Sequence, residues 1–393
     1  MSIREDPRAD RQLLDRFRFD AERWLAQSEA VRQGKASADQ ALLEGVIEPV
    51  TEVETLADEP SEKDADVRQL GEQALARGEV AMVVLNGGMA TRFGGGVKGA
   101  VEVGDGKSFI ALKLEDAARA HRVFGRVVPV VLMDSFATRD QTRHHLETHP
   151  EASKHAEAVL HMDQTISIRL EADGSPFVGN DGKFRYYAPG HGEFFGVLVA
   201  SGVFAQLNQR GVRWLCFSNV DNLGATIDPF IIGHHIRNGR DMTVEVTAKR
   251  RYPDGTWDVG GAAVRVGGRI CVVEGFRFPP SLRQATLPDI QTNNMVFSLG
   301  ALADPLELPR YLVHKRVEGR DSLGFEAITC EASGLLGPGG NPRLSLSLLR
   351  VPRDGPRGRF FPVKSREDLE RLRPQLLERV RAGWALREHP AAR

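Results

Sequence analysis

A parallel, Rossmann-like α/β sheet with helices on both faces is the fold class this 393-residue chain predicts. Three observations carry it. Short apolar runs alternate with segments of helical periodicity through much of the chain, which is the strand–helix–strand rhythm of a parallel sheet. Four of those runs end in polar or glycine-rich clusters, around Gly87–Gly88, Asp134-Ser135, Gln164 and Asn219–Asn222. In such sheets ligands sit beyond the carboxyl ends of the strands. After about residue 243 the rhythm changes to hairpin-like strands, which makes the expected sheet mixed but mostly parallel, with a small C-terminal lobe.

Residues 10–33 place Leu13, Leu14, Phe17, Phe19, Trp24 and Leu25 at near-helical spacing and predict one helix. The polar stretch LADEPSEKDADV is a connector before a helix near 67–77. EVAMVVLNGG is a buried strand entering a tight loop. GRVVPVVLMDS (125–135) is a strand, FATRDQTRHHLETH a helix and AVLHMDQ (158–164) a shorter strand. EFFGVLVASGVFAQLNQRG (193–211) has helical periodicity and a glycine stop, VRWLCFSNVDN (212–222) is a strand and DPFIIGHHIRNG a helix. Beyond 243, MTVEVTAKRR, GGAAVRVGGRICVVEG and TNNMVFSL are strands, with glycines at 260–261 and 267–268 supplying turns. NPRLSLSLLRVPR is another strand, and SREDLERLRPQLLERVRAGWAL a closing helix broken at Pro374. The expected organisation is a helical segment over 1–78, a core over 79–340 and a C-terminal lobe over 341–393.

Hydrophobic residues at 41% and charged residues at 27% are ordinary for a soluble globular chain, and a net charge of -1 gives no electrostatic case for nucleic acid. The three cysteines, Cys216, Cys271 and Cys330, are widely spaced with no CxxC, which argues against a disulfide framework or a zinc site. The charged N-terminus lacks an apolar signal core, and no apolar stretch approaches the roughly 20 residues needed to span a bilayer. The expectation is a cytoplasmic protein without a membrane partner.

The most informative stretch is VVLNGGMATRFGGGVKG, from Val83 to Gly99. Glycines let backbone N–H groups approach a ligand closely, and Arg92 and Lys98 beside them point to an anion. The run contains neither GxGxxG nor GxxxxGK[ST], so it is neither a dinucleotide fingerprint nor a P-loop.

This loop resembles the nucleotide-binding loop of the UDP-sugar pyrophosphorylases, specifically the eukaryotic-type UTP–glucose-1-phosphate uridylyltransferases. Further blocks are similar to that family's in order: LMDSFATRDQT (132–142), YAPGHGEFFGVLVASG (187–202), FSNVDNLGATIDP (217–229), TNNMVFSL (292–299) and RGRFFPVKSREDL (357–369). HKRVEG (314–319) matches the family's Asn-Pro-Lys stretch weakly. TRFGGGVKG leans toward the related UDP-N-acetylhexosamine enzymes, and Glu193 with Phe194-Phe195 stands where the family has Asp-Ile-Tyr. The chain ends about 29 residues after Lys364, so the resemblance further implies that the family's C-terminal β-helical domain is missing.

The resemblance implies a nucleotidyltransferase fold of the GT-A/Rossmann-like type. It also implies attack by a sugar 1-phosphate oxygen on the α-phosphorus of UTP, giving a UDP-sugar and pyrophosphate. The nucleophile is already anionic, so no general base is required, and the barrier is mainly electrostatic and positional. By this resemblance Lys98 and Lys364 serve the phosphates, and Arg92, where the family has no arginine, is a second phosphate candidate from its place beside the glycine-rich loop. Leu85, Asn86, Gly87, Gly88, Gln164 and Gly190 hold the nucleotide. His191, Asn219, Glu274, Asn293 and Asn294 face the sugar or its phosphate. Asp221 binds Mg²⁺, an ion that needs only one or two carboxylates beside substrate phosphates. The expected partners are UTP and a sugar 1-phosphate, and the expected state is a monomer or small homo-oligomer. UDP-N-acetylhexosamine or broad-specificity activity, and a non-catalytic nucleotide-sugar binder, stay open beside UDP-glucose formation.

Overall fold

The computed structural model describes residues 3–57, 64–88, 93, 95–252, 255–282, 286–355 and 357–385. Its centre is an eight-stranded sheet. In chain order the strands are β1 (Glu54–Thr55), β2 (Val80–Leu85), β3 (Val130–Asp134), β4 (Val159–Asp163), β5 (Trp214–Asn219), β6 (Met242–Ala248), β7 (Asp289–Ser298) and β8 (Leu346–Arg350). Across the sheet they lie in the order β1-β8-β6-β7-β5-β2-β3-β4. Neighbours are parallel except at β7, which runs antiparallel to both β6 and β5. The sheet is mixed and mostly parallel, as the sequence predicts.

All six residues of β2 are buried. Successive side chains point to opposite faces of a strand. Val80, Met82 and Val84 enter one core with Phe109 and Leu132, while Ala81, Val83 and Leu85 enter the other with Phe194, Phe217 and Phe297. A strand covered on both faces loses polar alternation, which is why it reads as a continuous apolar run.

Strand register sets the site. Leu85 lies opposite both Asn219 and Met133, and Asp134 lies opposite Asp163. The carboxyl ends of β2, β3, β4 and β5 therefore finish level along one edge. Between β6 and β7 the pairing slips: Val244 faces Met295 and Val246 faces Gln291, with Asn293 at φ 58 inside the bulge. Bulges of this kind re-aim side chains next to functional sites.

Three local features differ from the sequence expectation. The helix over 10–33 is two helices, Arg11–Arg16 and Ala21–Arg32, because Asp10 and Asp20 each cap a separate start. The 193–211 segment divides at Gly202, φ 77, into Phe194–Ala200 and Val203–Gln209. The last helix, Arg366–Ala385, runs through Pro374. A further helix, Phe109–Phe124, carries buried Lys113, Asp116 and Arg119 on its inner surface, which blurs the amphipathic pattern that would mark it. The two N-terminal helices pack Leu14, Phe17 and Trp24 against Ile166, Ile168 and Leu170, bracing the segment that leaves β4.

Candidate active site

Beyond the level strand ends lies a cleft of about 680 Å³. Gly87, Gly88, Lys98 and Ser135, from the loops after β2 and β3, line it together with Arg169, Tyr187 and Lys315. Lys364, from the segment before the last helix, also lines it. Lys98 and Lys364, far apart in sequence, thus share one cleft.

Lys98 Nζ donates to Asp221 Oδ2 at 2.5 Å, and both side chains are mostly buried. Asp221 sits two residues past the end of β5 in the turn that Asn222 organises. Asn222 Oδ1 accepts from the Phe361 N–H at 3.0 Å, and its Nδ2 donates to the Arg359 carbonyl at 3.0 Å. The segment bearing Lys364 is therefore fastened to the turn bearing Asp221. Arg359 adds a bidentate pair with Glu245, both contacts 2.7 Å. Burial alone would weaken the guanidinium's charge, but the Glu245 carboxylate beside it holds its pKa above the usual value.

Lys113 supports the same turn from beneath. Its buried Nζ donates to Ser218 Oγ at 3.1 Å and to the carbonyls of Asn222 and Ala225 at 2.8 Å each. Burial pulls its pKa down to about 8, against the charge of Asp116.

The loop after β2 meets the end of β4 side by side. A Cβ on Gly87 would come within 2.2 Å of Gln164 Oε1, so any side chain here would displace the Gln164 amide from this position. Gln164 Nε2 donates to the Gly190 carbonyl at 2.8 Å. Gly190 has φ 89, and a Cβ there would meet the Ala327 carbonyl at 2.3 Å. Gly87, Gln164 and Gly190 thus lie against one another, with Gly88 beside them, while Leu85 packs its side chain into the core and its carbonyl accepts from the Val220 N–H at 3.1 Å. Asn86 is turned away from this group: buried, its Nδ2 donates to Asp134 Oδ1 at 2.7 Å and Thr142 Oγ1 at 2.8 Å.

On the other side of β5, Asn219 Oδ1 accepts from Asn293 Nδ2 at 2.9 Å, while Asn293 Oδ1 is buried without a hydrogen-bond partner. The bulge and its left-handed residue aim Asn293 at Asn219. Asn294 points elsewhere, its Nδ2 donating to Glu245 Oε2 at 3.1 Å and its Oδ1 accepting from Asn222. Glu274 Oε1 accepts from Gln291 Nε2 at 2.6 Å. Burial raises the Glu274 pKa, the Glu331 charge adds to this, and Lys364 lies near enough to oppose it. His191 shares Nδ1 with the Thr329 hydroxyl at 2.7 Å, and burial lowers its pKa to about 4, so it is neutral at pH 7. Arg92 lies outside the described residues.

Among the described residues no group of three or more His, Cys, Asp or Glu side chains converges on one point. A lone strand-end carboxylate still suits Mg²⁺, whose remaining ligands are normally phosphate oxygens and water. The chemistry of Asp221 fits that ion.

Two cleft cations were not singled out from the sequence. Lys315 stands in the weak HKRVEG match. Arg169 stands in TISIRL, where the alternation of Ile166, Ile168 and Leu170 into the core leaves it on the opposite face.

The sequence model of the UTP–glucose-1-phosphate uridylyltransferase family matches residues 32–382. A relative of that name from Solanum tuberosum is 27% identical over 356 residues, covering 87% of this chain and 69% of the relative. One from Musa acuminata is 28% identical over 336 residues, covering 82% and 67%. Among solved structures, a UDP-glucose phosphorylase from Trypanosoma brucei superposes with a TM-score of 0.70 at 23% identity, covering 90% of this chain and 74% of that one. The T. brucei UDP-N-acetylglucosamine pyrophosphorylase gives 0.67 at 18% identity, covering 94% and 82%. These two share the fold. With its model matched across most of the length, the chain belongs to the UTP–glucose-1-phosphate uridylyltransferase family.

Proposed function

We infer that this chain transfers the uridylyl group of UTP to glucose 1-phosphate, forming UDP-glucose and pyrophosphate. A phosphate oxygen of the sugar phosphate attacks the α-phosphorus, the bond from that phosphorus to the bridging oxygen breaks, and its electron pair leaves with pyrophosphate. The observation that carries the reading is the shared cleft of Lys98 and Lys364, with Asp221 paired to Lys98.

In this reading Gly87, Gly88, Gln164 and Gly190 receive the uridine. Gln164 is fixed by its bond to Gly190, so its remaining amide capacity meets the uracil edge without reorganising. Lys98 leaves Asp221 for the nucleotide phosphates, and Lys364 spans from the Glu274 side toward the reacting phosphates. The buried, unpartnered Asn293 Oδ1 and its neighbour Asn219 accept and donate to sugar hydroxyls. Asp221 would hold Mg²⁺, which supplies charge neutralisation of the phosphates when bound. No residue need act as a base, because the attacking phosphate oxygen carries its charge at neutral pH. No described helix is long and apolar enough to cross a membrane; we place the protein in the cytoplasm, as a monomer or small homo-oligomer.

The test is pyrophosphate release from UTP with a panel of sugar 1-phosphates. Glucose 1-phosphate should give the highest kcat/KM, with activity abolished by EDTA and restored by Mg²⁺. UTP binding without pyrophosphate release for any sugar would make the chain a binding protein. Preference for N-acetylglucosamine 1-phosphate would move it to the neighbouring specificity.

A further inference from the structure

Lys113 is a buried cation in the helix Phe109–Phe124, and the reaction gives it no direct part. An apolar side chain would fill the same helix position without the cost of burying a charge. An ammonium carries three N–H donors. Lys113 spends all three on Ser218 Oγ and the carbonyls of Asn222 and Ala225. None of these acceptors is a carboxylate. Asp116, Asp221 and Glu245 favour the charge through space, and Arg359 opposes them.

The three acceptors bracket Asp221 in the chain. Ser218 is the penultimate residue of β5, and Asn222 and Ala225 follow the aspartate. One atom therefore ties the strand end to the turn beyond it. The turn holds itself weakly, since its Asn222 and Ala225 N–H groups reach the Asn219 and Asn222 carbonyls only at 3.3 Å each. One helical turn after Lys113, Asp116 Oδ2 accepts from the Ile227 N–H at 2.6 Å. The helix thus grips the 218–227 segment at four points. In the unliganded protein Lys98 also holds the Asp221 carboxylate. Once Lys98 moves to the phosphates, the position of that carboxylate depends on the turn.

We propose that Lys113 is a positioning residue for Asp221, fixing the turn so that the carboxylate keeps its place when Lys98 leaves it. This rests on the uridylyltransferase reading. Lys113 touches neither substrate nor reacting atoms and acts only through the backbone on either side of Asp221.

Two measurements test it. Lys113→Met fills a similar volume without donors or charge and should lower kcat about tenfold to a hundredfold, the scale of a small misplacement of a reacting group. In an Asp221→Asn background the same substitution should cost less than about twofold, because the group it positions is already lost. An equal factor in both backgrounds would reveal general loosening and overturn the proposal, as would an unchanged kcat in the first. The second measurement needs no turnover. Amide exchange of the unliganded chains, read by mass spectrometry over residues 219–226, should be about tenfold faster in Lys113→Met, while β3 and β4 keep their rates. Unchanged exchange over 219–226 would sink the clamp. Should Lys113→Met fail to fold, Lys113→Gln, uncharged and one bond shorter, replaces it with the same expected directions. If the unmodified protein shows no turnover, the uridylyltransferase reading fails instead, and exchange alone decides whether Lys113 holds the turn.

Discussion

Lys98 and Asp221 neutralise each other at 2.5 Å in a partly buried setting, so neither can serve a ligand while the pair stays closed. Binding of a triphosphate and a cation exchanges one ion pair for two, which keeps the local charge balanced. Asp221→Asn should lower turnover by about 10²–10³-fold, the usual cost of losing a group that stabilises transition-state charge. It should also flatten the dependence of rate on Mg²⁺ concentration, while the folding midpoint stays close to the unmodified value because a single partly exposed pair adds little stability. Lys364 has no ion pair among the described residues, so its charge is uncommitted. Lys364→Ala should lose most of the turnover while the calorimetric Kd for UTP changes little; an unaltered rate would remove Lys364 from the mechanism. Lys98 was legible in the sequence because phosphate chemistry demands charge next to a glycine-rich turn, whereas Asp221 and Lys364 were legible only through the resemblance of their blocks to the family's. The amides were less so. Asn86 and Asn294 look like ligand-binding residues in sequence, but their amide nitrogens donate within buried networks, Asn86 to Asp134 and Asn294 to Glu245, and only the fold reveals those bonds.

At the scale of elements, the bulge in β7 is what makes an asparagine pair usable. Regular pleating would send Asn293 and Asn294 to opposite faces with equal exposure to their neighbours. The slip opposite Glu245 instead places Asn293 at φ 58 and directs its amide to Asn219. Glycine adopts that backbone without strain, so Asn293→Gly deletes the amide and keeps the bulge. It should raise KM for glucose 1-phosphate about tenfold with KM for UTP nearly constant; equal changes in both constants would show that the amide is not a sugar contact. Asn293→Val should in addition destabilise the fold by about 1–2 kcal/mol, the cost of a β-branched residue in the left-handed region. Strand existence and order of motifs were readable because apolar runs and polar stops recur along the chain. The bulge was not readable, since it depends on cross-strand pairing. The breaks in two helices turned on Asp20 and Gly202, local caps that outweigh hydrophobic spacing.

For the molecule as a whole, burial of uncharged histidines links stability to pH. His145, His191 and His235 each have pKa values lowered to about 4, in every case chiefly by burial. In the unfolded chain the same groups titrate near 6.5. Between those values the unfolded state binds protons that the folded state refuses, so stability is fully present above pH 6.5 and declines as pH falls toward 4. Glu274 and Glu331, whose pKa values burial raises, act in the opposite sense, because protonation relieves their buried charge. His235 isolates the histidine effect. It is fully buried between Thr243 Oγ1 at 2.8 Å and Ser298 Oγ at 3.1 Å, away from the nucleotide cleft. His235→Gln can keep a hydrogen bond to either hydroxyl but cannot titrate. Urea unfolding at steps from pH 7 to 4.5 should give the unmodified chain a steeper loss of stability than the variant. The slopes should differ by at most roughly 1.4 kcal/mol per pH unit, the limit set by one proton. Equal slopes for the two chains would mean that His235 carries its proton in the folded state, and that burial at this position does not hold the imidazole neutral.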